Sequence, residues 1–387
     1  MRNNSAFIYS KFFQNYKFTN EHPFNQLRVD LTYDLLEKLG ALKPSQIFSP
    51  SEAADQELEL IHEPAYINAV KQAGKGEAKE DELLKYGLGT EDTPIFPNMH
   101  EASSLIVGAT IKAVDLVMQG EVDHALNIGG GLHHGFRNKA SGFCIYNDSA
   151  IASQYIVEKY NKRVLYVDTD VHHGDGVQWA FYDTSRVCTL SIHETGRYLF
   201  PGTGNENERG IGAGYGYSFN VPIDAYTEDE SFLAVYEKSL SEIAEFYRPD
   251  VLITQNGVDG HFFDPLSHLA LTVNSYRRIP KIAHDIAHKY CGGKWIAVGG
   301  GGYDIWRVVP RAWSMLWLEM NDLADLAQGD LPKAWIDKWQ EKAPVKLPRT
   351  WEDDPDIYPP IPRKMEIEEK NRQTVEKTLS LIQRNKG

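Results

Sequence analysis

Cysteine is scarce in this 387-residue chain: Cys144, Cys188 and Cys291 lie far apart and form no metal-like pair. That excludes a disulfide framework and leads us to expect a reducing, cytoplasmic setting. Long apolar runs are missing too. No stretch approaches the roughly 20 residues of a membrane-spanning helix, and the opening MRNNSAFIYSKFFQNYKF lacks the apolar core of a signal peptide. Positive charge is in deficit, with 40 Lys and Arg against 54 Asp and Glu and a net charge of −14. General binding to nucleic acid or to an anionic membrane surface demands basic patches, so neither is expected. Gly129–Gly131 follow a strand-like run but show neither GxGxxG spacing nor a GK[ST] ending, which excludes a recognisable phosphate loop. The 42% apolar and 11% aromatic content suits a well-packed core, in one large α/β domain or two average ones.

The most informative stretch is Arg163–Gly176, RVLYVDTDVHHGDG. Val164–Val167 form an apolar run of the kind parallel sheets bury on both faces. Asp168, Asp170 and His172 then fall at alternate positions, so an extended chain projects them from one face. Two carboxylates and an imidazole at a buried strand end need a partner for their charge. A divalent cation held by an Asp and a His is the simplest one, and a solvated polar strand end is the alternative.

Other elements follow the same rhythm. Ala6–Tyr9 reads as a short strand, and Leu27, Leu31 and Leu35 mark a helix that ends at Gly40. Arg28 within that helix reads as a solvated surface residue on spacing alone. Helices are expected over 62–72, from about 100 to 120, over 273–290 and between 365 and 381. Asn147 or Asp148 should cap a further helix, and Thr227 with Glu230 suggests a capping box. Strands are expected at Ala125–Ile128, Val187–His193, 251–256 and Trp295–Val298. Their ends run into GGGLHHGF, GVDGHFFDPL and GGGGYDIW, while RYLFPGTGNENERGIGAG is too long to be a plain connector. In an open parallel sheet, ligand sites lie beyond the carboxyl ends of the strands. His133, His134, Asp170, His172, Asp259 and Tyr303 would therefore converge on one edge. Asp259 would add a third ligand and leave one metal position open, as catalysis requires. The set suits zinc, and iron(II) or manganese also accept imidazole with carboxylate.

Five ordered blocks, GGGLHHGF, ASGFCIYND, YVDTDVHHGDGVQ, FPGTG and GGGGY, resemble the signatures of the zinc-dependent, class I-like histone deacetylase family. Within it, the chain is most similar to the bacterial acetoin-utilisation deacetylases. The resemblance spans about residues 5–320. It implies a three-layer α/β/α, arginase-like fold around a mainly parallel eight-stranded sheet. Residues 1–330 would form the catalytic domain, and 331–387 an extension packed on it. It also implies Asp170, His172 and Asp259 as metal ligands, a His133–His134 dyad with Asp168 and Asp175 as its carboxylate partners, and Tyr303 as the transition-state tyrosine. Phe143, Phe200 and Leu266 would line an acyl-lysine tunnel, and the Gly142 carbonyl would meet the substrate amide. Asp92 would hold the substrate backbone at the rim, and Arg28 would serve an inner acetate channel. Oxygens of Asp168, Asp170, His172, Ser191 and Ile192 would match a structural potassium site. The sequence departs from the family after Asp259, where His261, Phe262 and Phe263 could reshape the rim.

Three functional readings stand at this stage. One is a metal-dependent deacetylase of N-ε-acetyl-lysine on proteins, with an acetylated metabolic enzyme such as acetyl-CoA synthetase as the substrate that the subfamily implies. The others are an amidohydrolase of small molecules such as acetylpolyamines, and a non-catalytic acyl-lysine binder. No oligomeric state is indicated.

Overall fold

Short apolar runs buried on both faces are the signature of a parallel sheet covered by helices, and here they lie side by side. In the computed structural model, which describes residues 5–384, eight strands form one sheet. They are β1 (Ser5–Ile8), β2 (Ile47–Phe48), β3 (His124–Asn127), β4 (Val164–Asp168), β5 (Val187–Glu194), β6 (Ser218–Ile223), β7 (Val251–Gln255) and β8 (Trp295–Val298). Their order is β2-β1-β3-β8-β7-β4-β5-β6, and every neighbouring pair is parallel. The expected three-layer α/β/α fold is present.

Register explains where function can sit. Asp168 pairs with Gln255, Gln255 with Val298, and Val298 with Asn127, so four central strands finish level. The loops that follow leave the sheet at one edge, and they are the Gly-, His- and Asp-rich blocks. On one face lie helices Met99–Met118 and Asp148–Tyr160. The other carries Leu27–Lys38, Val309–Met320, Val273–Cys291 and Asp229–Tyr247 in adjacent rows.

The residues after Leu331 are fastened to this body. Trp335 and Trp339 donate indole N–H bonds to the Leu31 carbonyl and Asp34, at 3.0 and 2.8 Å. The closing helix, Lys364–Arg384, lies along β6, where the Thr378 hydroxyl donates to the Asn220 carbonyl at 2.6 Å. An edge strand with open backbone groups invites mispairing, and this helix covers it.

Three expectations need correction. The sheet holds β2 and β6 beyond the strands read from the sequence. No capping box forms at Thr227: its hydroxyl donates to the Asp224 carbonyl, and the helix starts at Asp229 with Glu228 at its cap. Arg28 is not a surface residue but is 1% exposed, its guanidinium lying over the Phe24 and Trp313 rings at 4.6 and 4.9 Å.

Candidate metal centre and active site

Asp170 and His172 follow β4 directly, and Asp259 follows β7, its neighbour in the sheet. The His172 Nδ1 lies 3.0 Å from Asp259 Oδ2 and 3.2 Å from Asp170 Oδ1. All three residues are buried, and one donor atom from each lies within 4.8 Å of the others. Burial and the Asp170 charge push the Asp259 carboxyl up to about 6. Two carboxylates crowded beside an imidazole out of water form a donor set that a divalent cation relieves. The surroundings hold that set in place. Gln255 Nε2 and the Gly301 N–H donate to Asp170 Oδ2 at 2.7 and 2.6 Å, and the Val171 N–H donates to Asp259 Oδ1 at 3.0 Å. A Cβ on Gly301 would collide with both carboxylates, so only glycine fits there. These residues fit a zinc-type ion.

Beside this cluster stand two imidazole–carboxylate pairs. His133 Nδ1 is 2.7 Å from Asp168 Oδ2, which also accepts the Tyr166 hydroxyl at 2.7 Å. His134 Nδ1 is 2.6 Å from Asp175 Oδ1. The pairs look alike but titrate in opposite directions. Burial opposes a charge on His133, yet Asp168 and Asp170 outweigh it and raise His133 to about 9. Burial and the charge of His133 hold His134 below its ordinary value, despite Asp175. The loop into the dyad is clasped by Asp148, whose carboxylate accepts the N–H groups of Gly131 and Leu132. The cap of the following helix is Asn147, which accepts from the Ala150 N–H.

With that geometry in place, the comparisons are decisive. A histone deacetylase domain model matches residues 22–320. The chain is 61% identical over 378 residues to the acetoin utilization protein AcuC of Bacillus subtilis (strain 168), covering 98% of this chain and 97% of that one. The AcuC protein of Staphylococcus xylosus is 46% identical, with 98% of both chains covered. The chain belongs to the histone deacetylase family. A crystal structure of an HDAC homologue complexed with SAHA superposes with a TM-score of 0.85 at 29% identity, covering 97% of this chain and 99% of the other. An HDAC homologue from Aquifex aeolicus gives 0.83 at 28%, covering 95% of this chain and all of the other.

Tyr303 follows the Gly299–Gly302 run, and its N–H is held by Asp264 Oδ2 at 2.7 Å. Burial and the charge of Asp259 push its hydroxyl well above the usual phenol range, so it keeps its proton. Its ring meets Phe143 edge to face at 5.8 Å. Phe200 stands edge to face with His134 at 5.1 Å and is 47% exposed, at the surface rather than in the core. Gly142 and Phe143 both have positive φ, 52° and 68°. A Cβ at Gly142 would strike the His134 ring, and the turn is braced by Asp92 on the Gly142 N–H at 2.6 Å and by the Tyr16 hydroxyl on the Phe143 carbonyl at 2.7 Å. Leu266, half-buried, is tied through its N–H to Asp264 Oδ1 at 3.0 Å. Arg28 Nη1 donates to the Gly302 carbonyl at 3.0 Å, while Nη2 has no partner. Ser191 pairs with Asp168 across β4 and β5, and Ile192 is next in β5.

His261 lies elsewhere than the rim. It is buried, with Nε2 3.0 Å from Asp353 of the C-terminal segment. Phe262 and Phe263 are partly buried and meet Tyr358 of that segment at 5.0 and 6.1 Å. Gln255, Asp264 and Tyr166 were not singled out from sequence, and Asp148 was read only as a candidate helix cap. A long polar side chain closing a buried strand, as Gln255 closes β7, is the signal that could have found one of them.

Proposed function

We propose that this chain hydrolyses the amide of N-ε-acetyl-lysine on protein substrates, releasing acetate. The observation that carries the reading is a buried Asp170–His172–Asp259 cluster beside a polarised histidine and a protonated tyrosine. Asp170, His172 and Asp259 would hold zinc, with iron(II) as the other candidate. When bound, such an ion polarises the amide carbonyl and lowers the pKa of a water toward about 7.

The chain's own groups supply the rest. His134, neutral at pH 7, takes the proton of the attacking water and passes it to the leaving lysine nitrogen. Asp175 orients that ring. His133 stays charged against Asp168 and adds positive potential where negative charge develops. Tyr303 donates its hydroxyl to the oxyanion, an interaction worth about 3–4 kcal/mol in comparable sites. The Gly142 carbonyl would accept the substrate amide N–H, and Asp92 would hold the peptide backbone at the rim. Phe143, Phe200 and Leu266 would accept the apolar lysine stem and, by desolvation, disfavour a free charged lysine. Arg28, with one guanidinium nitrogen unpaired, suits an exit for acetate. Oxygens of Asp168, Asp170, His172, Ser191 and Ile192 would hold a structural potassium ion. The relatives named for acetoin utilization favour an acetylated metabolic enzyme in the cytoplasm, such as acetyl-CoA synthetase, as substrate.

The test is kcat/KM of the zinc-loaded protein on an acetyl-lysine peptide and on acetylated spermidine, with Tyr303→Phe as control. Efficient peptide cleavage that Tyr303→Phe largely abolishes supports the reading. A clear preference for the polyamine would replace the substrate class and keep the chemistry. Binding of the peptide without turnover would make the chain an acyl-lysine binder.

A further inference from the structure

The strand edge opposite the active site carries a second convergence of imidazoles. β3 begins with His124 and ends just before the loop that bears His133 and His134, so the two clusters flank one four-residue strand. His284 and His288 lie four residues apart in HDIAH on helix Val273–Cys291, a spacing that places both rings on one face. His284 Nε2 is 3.1 Å from His124 Nε2 and 3.0 Å from His288 Nε2. One ring nitrogen from each lies within 4.8 Å of the others; His124 and His284 are buried, and His288 opens to solvent.

Hydrogen bonding among the rings does not account for this arrangement. A ring nitrogen offers one in-plane site, either an N–H or a lone pair. His284 faces the Glu319 carboxylate through Nδ1 at 3.2 Å, so in a neutral ring Nδ1 is the donor and Nε2 keeps its lone pair. One lone pair accepts one proton, yet two nitrogens approach it equally closely. A cation resolves the conflict, because all three lone pairs can then point at a common centre. At zinc–nitrogen lengths of about 2.0–2.1 Å, tetrahedral ligand nitrogens stand about 3.4 Å apart, close to the spacing here. Glu319 on the far nitrogen of His284 is the carboxylate–histidine arrangement that orients metal-bound imidazoles. Asp123, Asp322 and Asp285 add negative charge around His288.

We propose that His124, His284 and His288 form a second transition-metal site, taking zinc or a similar borderline divalent ion with the fourth position open to water. The site ties three elements together: the first residue of β3, the helix Val273–Cys291 and, through Glu319, the helix Val309–Met320. It lies at the amino ends of the strands, at the other end of β3 from the His133–His134 loop and separate from the Asp170–His172–Asp259 cluster.

The experiment uses full-length protein without a polyhistidine tag, stripped with chelator, reloaded in buffered micromolar zinc and assayed for metal content. Wild type should hold about two ions per chain, and His288→Ala about one, with its kcat/KM on the acetyl-lysine peptide unchanged. Asp259→Asn, which empties the other cluster, should also hold about one, and the double variant none. His288 is exposed, so its replacement leaves the fold intact, and a matching far-UV spectrum and melting curve in chelator verify that. His288→Ala retaining as many ions as wild type, whether that number is one or two, overturns the proposal.

Discussion

The floor of the site and its rim are built differently. Asp170, His172, Asp259 and the dyad lie within seven residues of strand ends that finish level, are buried, and have metal-cluster carboxylates held by N–H groups of other elements. The residues proposed for the rim lie on loops: Asp92 and Phe143 on two long connections, Phe200 half out in solvent, Leu266 on the connection after β7. A strand end places a side chain to within the register of its sheet, whereas a loop places it only as well as its few contacts allow. In the proposed function, chemistry thus falls to the buried part and recognition to the loops.

Substitutions should separate the two. The largest effect is expected at the floor, where Asp259→Ala should remove both metal retention and measurable turnover, checked by metal content and kcat/KM together. Tyr303→Phe should lower kcat by about 10²–10³ with little change in KM. A matching rise in KM instead would move Tyr303 from transition state to binding. Asp175→Asn should lower the plateau and shift the acid limb of kcat/KM to lower pH. The sign follows from charge: Asp175 favours the imidazolium of His134, so its loss makes His134 a weaker base, ionised only under more acidic conditions. At the rim, Phe200→Ala should raise KM for the peptide about tenfold, roughly 1.4 kcal/mol, and leave kcat near its original value. The smallest kinetic effect should come from Asp353→Ala, which leaves Arg311 and His261 buried without their carboxylate. Its cost is in stability, about 3–5 kcal/mol, read as a lower urea midpoint. Burial opposes the charge on Asp353, yet His261 and Arg311 hold it well below the usual carboxylate range. That contribution is therefore present above about pH 4 and lost as pH falls toward the depressed value.

The same division governs what could be read from the sequence. β4, β7 and β8 are mainly apolar runs leading into loops that carry Asp, His and Tyr, so strands and floor residues were legible together. β6 was not, because SFNVPI carries Asn220 and Pro222; both are tolerated where β6 pairs with β5 alone and leaves an edge. β2 is two half-buried residues, too short for any period. Helix Val309–Met320 is buried all round except at Glu319, so it shows no amphipathic stripe. Arg28 read as a surface residue because helical spacing says nothing of the Gly302 carbonyl 274 positions away. His261 read as a rim residue because its partner, Asp353, lies 92 positions further on.

Asp264 joins the two regions. One of its oxygens holds the N–H of Tyr303 and the other that of Leu266. An engineer could treat the turn after β7 as a detachable fitting, exchanged to admit a bulkier acyl group or a different peptide. This carboxylate makes it a fitting with one bolt through the machine bed. A graft that omits Asp264 would release the tyrosine while changing the entrance, and the lost turnover would be misread as altered selectivity.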